Sequence, residues 1–396
     1  MTIKQDLAWV PQPSEETACP LCESQSAEVL GTLGRHGVSV RNVACHGCGT
    51  VYVNPRPSPE QMGEFYRSHY RTQHLIPMKL MDGTMAMPNT PDYDLAISQR
   101  GASQGRVALS AGGVQPGDKV LDVGCRRGLA LRAMRDEVPI EAYGIEPGES
   151  EAAIAVEHGI NMHVGLLETF DPGDTKFDQI QMFHVLEHVH EPLECLIRLR
   201  SMLKPNGRLV IEVPDVLQPY GGLSWFFQYP HLYSFSFNGL MGLFRRAGLE
   251  PVRTNLGSSV LLVGQPMENP GPLPRPFSKE MLPKPEQDGV WVTRRLSIYE
   301  GMEQIGKLAK KGRDFPVDLL VRLLAQPGLP GWGKEPPHSA LVAIDIIEAL
   351  TKKRDVSSII QILEAVVAGP HDEGFKDFCR SSMAQISPSV APVPAP

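Results

Sequence analysis

Residues 119–128, KVLDVGCRRG, decide how the rest of the chain is read. Val120, Leu121 and Val123 surround Asp122 and lead into a turn holding Gly124 and Gly128, after which LALRAMRDE has helical spacing. That order is a buried parallel strand, a tight loop and a helix. In such a unit the ligand lies outside the carboxyl end of the strand, against the helix N-terminus. Glycine in the loop lets it approach the backbone with no Cβ in the way. Working outward, the short strand in AYGIEPGES ends on Glu146, 24 residues after Asp122. An acid at that tip suits the two hydroxyls of a ribose. The pair points to an adenosine-containing ligand. The loop reads GxxxG rather than GxGxxG, so a nicotinamide dehydrogenase fails on the glycine spacing.

Asp122, Gly124 and Gly128 resemble the first motif of class I S-adenosylmethionine-dependent methyltransferases, roughly acid-x-Gly-x-Gly-x-Gly. Arg126 stands where a middle glycine is common, so its side chain is expected to point outward. Farther along, FDQIQMF (177–183) reads as a fourth strand and RLVIEVPD (208–215) as a fifth. Between them, HVLEHV (184–189) followed by Pro192 and then LKPNG (203–207) resembles the small-molecule branch of that family. The Asn/Asp-Pro-Pro-Tyr tetrad usual in nucleic-acid N-methylases is absent. The resemblance implies an α/β fold: a doubly wound, seven-stranded Rossmann-like methyltransferase sheet, its last strand pair antiparallel. It implies S-adenosylmethionine as co-substrate, held by Asp122, Gly124, Gly128 and Glu146, with His184 beside it. Leu167 and Glu168 sit where the family contacts the adenine ring and its amino group. Glu168 reads equally well as an acid at the start of a helix.

Ahead of this domain come Cys19-Pro-Leu-Cys22 and Cys45-His-Gly-Cys48, separated by 22 residues that alternate like a small β ribbon. Two such turns facing each other supply four thiolates for a tetrahedral zinc ion, and Cys₄ leaves no open position, so the ion is structural. Seven cysteines, four of them in these pairs, fit a reduced compartment better than a disulfide framework. The following GTVYVNPRPSPEQMGEFYRSHY (49–70) resembles the zinc-binding region that precedes the catalytic domain in one methyltransferase subgroup. Many members of that subgroup act on sugars or other small molecules. Ser58 is the expected cap of the helix after the prolines.

The expected layout is a loose lead-in at 1–18, a zinc-binding β module at 19–70, and a linker or lid at 71–92. The methyltransferase domain follows at 93–265, then a proline-rich linker at 266–288, a helical C-terminal region at 289–380 and a disordered tail at 381–396. The net charge of −7 argues against broad nucleic-acid binding. No run of 18 apolar residues spans a membrane, and the first residues carry no secretory pattern, so the expected location is cytoplasmic. A monomer or homodimer is expected.

Methyl transfer from a sulfonium is an in-line displacement that gains chiefly from alignment. A base is needed only where the acceptor must lose a proton. Candidates are His231, His188 and Glu187, with His184 and His190 beside them. His231 follows the fifth strand, between Tyr229 and Tyr233, where the family closes its acceptor pocket, and it ranks first. Tyr66 and Tyr70 are placed to reach the same pocket. Sugar C-methyltransferases of the subgroup tend to carry Glu just before this histidine. Pro230 stands there, which counts against a sugar carbon as acceptor. The sequence therefore points to methylation of a carbon or oxygen on a small-molecule acceptor. The alternatives are an RNA- or protein-modifying methyltransferase and a non-catalytic binding protein with a degenerate cofactor site.

Overall fold

The structure, a computed structural model, describes residues 10, 12–69, 78–82, 84–217, 219, 223–256, 259–268, 356–368, 379, 380 and 383. Most of the proline-rich linker at 266–288, the helical patterns near 289–312, 315–325 and 338–353, Tyr70, and nearly all of the tail lie outside these residues. So does part of the 71–92 segment.

Strands β1 (Ala27–Leu33) and β2 (Ser39–Cys45) form the expected ribbon, and β3 (Val51–Val53) extends it. Helix α1 (Pro59–Glu64) starts where the sequence placed it: the Ser58 side chain accepts from the Gln61 N–H, removing one orphan donor of the first turn. A small ribbon of β4 (Met78–Lys79) and β5 (Met85–Ala86) precedes the long helix α2 (Pro91–Gly112). The buried face of α2 is Ala96, Gly101, Gly105, Ala108 and Ala111. These small residues let it lie close against α3 (Leu129–Glu137).

Strand β6 (Lys119–Val123) occupies the centre of a seven-stranded sheet. Its neighbours on one side are β7 (Glu141–Glu146) and β8 (Asn161–Val164), joined through helix α4 (Glu149–Glu157). On the other side lies β9 (Phe177–Phe183), then helix α5 (Pro192–Met202) leads to β10 (Leu203–Pro214). After the short helix α6 (Leu223–Phe226) and β11 (Tyr233–Ser234), helix α7 (Phe237–Arg246) leads to β12 (Leu249–Leu256) and β13 (Ser259–Pro266). The order across the sheet is β12-β13-β10-β9-β6-β7-β8. Strands β6 to β10 are mutually parallel where they pair, and β13 runs antiparallel to both β10 and β12. This is the doubly wound α/β sheet that the family resemblance implied. The strands that pair in parallel, β6 to β10, end together at one edge, where the βα loops gather.

Two details differ from the sequence reading. The pattern HEPLECLIRLRSMLK (190–204) predicts a helix closed by Pro205-Asn-Gly207, but α5 ends at Met202, because Leu203 already pairs with Phe177 in the sheet; a register shift separates that pair from Arg208. The second difference has more consequence. The zinc-module sheet is not closed on itself: its order is β1-β2-β3-β11, with Tyr52 opposite Tyr233 and Val51 opposite Ser234. The fourth strand comes from the methyltransferase side of the chain. A single apolar cluster correspondingly runs from Leu21, Val43 and Phe65 through to Leu196, Tyr229 and Phe244. The guanidinium of Arg246, on α7, donates to the Leu21 carbonyl at 2.5 Å and to Glu23 at 3.2 Å, tying the first cysteine turn down. A module this small buries little core of its own; this one borrows both a strand and a core.

Helix α8 (Val356–Ala368) forms where the apolar pattern places one. Among the described residues, no helix is long and apolar enough to cross a membrane.

Candidate active site

The loop after β6 alternates its backbone. Gly124, Arg126 and Gly128 all take positive φ, at 75°, 51° and 66°. A Cβ on Gly124 would meet Val185 Cγ2 at 2.6 Å, so the loop and the segment after β9 approach each other only because glycine is there. Arg126 holds the same left-handed geometry at the cost a Cβ imposes, of order 1–2 kcal/mol. Its side chain is exposed, as the sequence required.

Asp122 and Glu146 are buried at adjacent strand tips, 4% and 8% exposed. Burial pushes the Asp122 carboxyl up to about 7, and the neighbouring charge of Glu146 adds to this against a hydrogen bond from Gln181. Burial also raises Glu146, against the backbone N–H groups of Gly148 (2.9 Å) and Arg126 (3.0 Å), which donate to its two oxygens. Glu146 thus pins the glycine loop to β7. Each carboxylate oxygen has a second lone-pair direction left for a ligand hydroxyl. Leu167 is buried at the start of a 3₁₀ turn just beyond β8, and Glu168 beside it is exposed.

The second group of predicted residues gathers at the tip of β9. His184 takes φ 56°, and its Nε2 lies 3.1 Å from Glu212 Oε1 on β10. Burial works against the charged imidazole of His184, but the adjacent carboxylates of Glu187 and Glu212 outweigh it and raise its pKa. Glu187 is 1% exposed, and Oε1 lies 3.6 Å from His184 Nδ1, 3.9 Å from His188 Nε2 and 4.0 Å from His231 Nε2. His188 and His231 meet edge to face, 4.7 Å between ring centres. Burial lowers the pKa of His188 despite the charge of Glu187. Residues 187, 188 and 231 thus come together in one knot. Tyr66 joins it, its ring edge-on to His188. His190 does not: it bonds the Pro57 carbonyl at 2.8 Å.

A cavity of about 200 Å³ opens here, lined among others by His184, His231, Gln228, Phe226 and Arg35. Three of the residues involved escaped the sequence reading. Glu212 carried a signal, an acid inside the apolar run RLVIEVPD. Gln228, whose Nε2 lies 2.7 Å from His231 Nε2, carried none. Nor did Arg35, which bonds the Trp225 carbonyl at 3.0 Å and lies over its ring at 4.8 Å; it reaches the cavity from the zinc module.

Sγ of Cys19 lies 3.5 Å from Cys48 and that of Cys22 lies 3.4 Å from Cys45. All four donor atoms lie within 4.8 Å of one another. A tetrahedral zinc thiolate needs sulfur atoms about 3.8 Å apart, given a Zn–S bond of about 2.3 Å, so this donor set fits the ion. The Gly47 N–H also donates to Cys45 Sγ at 3.2 Å, a contact that supports a thiolate. His46 turns away, toward Ser26 and Glu28.

Comparison with known proteins places one family match on the sheet domain. Residues 97–254 match the family described as a methyltransferase domain. This stretch is a methyltransferase domain. An uncharacterized 37.1 kDa protein in transposon TN4556 of Streptomyces fradiae is 30% identical over 139 residues, covering 33% of this chain and 40% of that protein. The ubiquinone biosynthesis O-methyltransferase of Bradyrhizobium diazoefficiens is 33% identical over 102 residues, 24% of this chain and 40% of that one. The chain thus spans less than half the length of these relatives. Among solved structures, magnesium protoporphyrin IX methyltransferase from Synechocystis, with bound S-adenosylhomocysteine, is similar over 46% of this chain and 89% of that one, with 20% identity and a TM-score of 0.36.

Proposed function

We propose that the chain moves a methyl group from S-adenosylmethionine to an oxygen or carbon of a small-molecule acceptor, around a structural zinc ion. One observation carries this reading. Two buried acids at adjacent strand tips frame a left-handed glycine loop, and the segment packed on that loop at Val185 leads directly into the histidine-lined cavity. A donor in the crevice and an acceptor in the cavity would then be neighbours, as in-line transfer requires.

In this reading Glu146 takes the ribose hydroxyls and Leu167 packs on the adenine, with Glu168 at its amino group. Asp122 faces the positively charged part of the donor, which favours its ionised form. Gly124 and Gly128 keep the loop open to the ligand, and His184 closes the far side. His231 lines the cavity and is the first candidate to take a proton from the acceptor, its charge then balanced by Glu187 beside it, with His188 buttressing both. The acceptor's lone pair attacks the methyl carbon, the carbon–sulfur bond breaks, and sulfur keeps the pair. Zinc on Cys19, Cys22, Cys45 and Cys48 would lock the module whose β3 pairs with the strand after His231.

Isothermal titration of zinc-loaded protein tests the donor site. Saturable binding of both S-adenosylmethionine and S-adenosylhomocysteine is expected, lost in Glu146→Ala; absence of heat from both ligands rejects the reading.

A further inference from the structure

Among the described residues, Glu187 is the one buried carboxylate with both oxygens short of hydrogen-bond donors. It is 1% exposed, and neither oxygen has a hydrogen-bond partner. A buried carboxylate left in this state costs several kcal/mol unless a positive charge faces it. What faces it is a set of imidazole nitrogens. One donor atom each from Glu187, His188 and His231 lies within 4.8 Å of the others, and a fourth, His184 Nδ1, lies 3.6 Å from Glu187 Oε1.

The tautomer of His188 is set for a metal. Its Nδ1 bonds the Pro230 carbonyl at 2.8 Å, so Nδ1 carries the proton and Nε2 presents a lone pair toward Glu187. Metal-bound histidines are held this way, by a carbonyl or carboxylate on the other ring nitrogen. The spacing is slightly open. Ligands about 2.1 Å from an ion sit roughly 3 to 3.5 Å from each other. The separations of 3.9 Å from Glu187 Oε1 to His188 and 4.0 Å to His231 close to that with shifts of about half an ångström. Two imidazoles and one carboxylate, with the cavity on one side, leave open positions for a ligand.

We propose that Glu187, His188 and His231 bind one first-row divalent cation, distinct from the zinc of the cysteine cluster, and that the acceptor binds this ion through an oxygen. The proposal rests on the reading of the cavity as the acceptor site. It assigns to the ion the acidifying role that His231 alone would otherwise carry. The acceptor hydroxyl gives its proton to solvent as its oxygen joins the ion, and the resulting oxyanion attacks the methyl carbon. His231 gives its Nε2 lone pair to the ion, for which the Gln228 amide, 2.7 Å from that nitrogen, turns away. The acceptor class is therefore a small molecule with an ionisable hydroxyl, such as a phenol or an enol.

The test is a Co²⁺ titration of the full-length, zinc-loaded protein, read by visible absorption, with Mn²⁺ binding read in parallel by electron spin resonance. One Co²⁺ per chain is expected, with ligand-field bands and no thiolate charge-transfer band, while the zinc content stays constant. Glu187→Gln and His231→Ala should each weaken Mn²⁺ binding about 100-fold. S-adenosylhomocysteine binding should persist in both variants, which shows that they are folded. Absence of a Co²⁺ or Mn²⁺ site in wild-type protein that binds S-adenosylhomocysteine overturns the proposal and leaves the donor site standing. So does Mn²⁺ binding unchanged in both variants. Failure of S-adenosylhomocysteine to bind while Co²⁺ binds would instead count against the methyltransferase reading.

Discussion

The crevice at the tips of β6 and β7 and the histidine-lined cavity lie side by side but are built in opposite ways. The crevice comes from one continuous βαβ unit, residues 119 to 146, whose strand, loop and acid follow one another in the chain. The cavity comes from segments far apart: His184 after β9, Gln228 and His231 before β11, Ser259 on β13, and Arg35 from the zinc module. The first is held by its own sheet. The second depends on β3 pairing with β11, some 180 residues away, and on the Val53 N–H bond to the Leu232 carbonyl at 2.9 Å, directly after His231. The lesson is that the cysteine module supports the strand beside His231 rather than standing as an appended domain.

The largest effect that can break this contrast is loss of the metal. Zinc ligation contributes about 10–16 kcal/mol to small modules of this kind. Cys45→Ser should therefore remove zinc and lower turnover by at least about a thousandfold, while S-adenosylhomocysteine affinity falls by less than about tenfold. Metal analysis, kinetics and calorimetry on one preparation check this. Equal collapse of both activities would show that the two sites are one unit.

Next comes Gly124→Ala, aimed at the crevice alone. A Cβ there meets Val185 Cγ2 at 2.6 Å on a backbone with φ of 75°. The expected cost is about 2–4 kcal/mol, summing a strained dihedral and an overpacked contact. Donor binding should drop steeply, with the zinc content unchanged by mass spectrometry.

How much of this was legible in the sequence follows from the same contrast. The strand, loop and tip acid sit within one stretch, so the fold class, Asp122 and Glu146 could be read directly. The Cys pairs were legible because their spacing is itself the signal. The β3–β11 pairing was not, because β11 is only Tyr233–Ser234 and no pattern of two residues marks a strand. Gln228 escaped for a related reason: a glutamine in an aromatic stretch looks like any surface amide until the fold places it against His231. Arg126 was legible as an oddity, but its left-handed φ, which explains why glycine suits the position, is visible only in three dimensions.

A pH series probes the crevice more gently. The Asp122 carboxyl is raised by burial to about 7, above an unfolded value of about 3.9. Ionising it therefore destabilises the ligand-free protein, an effect that grows between about pH 4 and 7 and is constant above. A positively charged donor binds the ionised form better, so its affinity should rise up to about tenfold from pH 6 to 8. In Asp122→Asn the profile should flatten, and thermal melting should show the variant gaining most over wild type at pH 8. A wild-type affinity independent of pH would remove Asp122 from the donor site.

The smallest expected change is Arg126→Gly. It relieves a left-handed non-glycine residue worth about 1 kcal/mol, so stability to urea should rise slightly without weakening donor binding. A loss of affinity would show that the guanidinium holds the ligand.

The most direct measurement is a crystal structure of the zinc-loaded chain with S-adenosylhomocysteine. The account predicts the ribose hydroxyls on Glu146, the loop of Gly124 to Gly128 against the ligand, and the sulfur atom facing the cavity that His231 lines. Density for the nucleoside elsewhere, with Asp122 and Glu146 untouched, would contradict it.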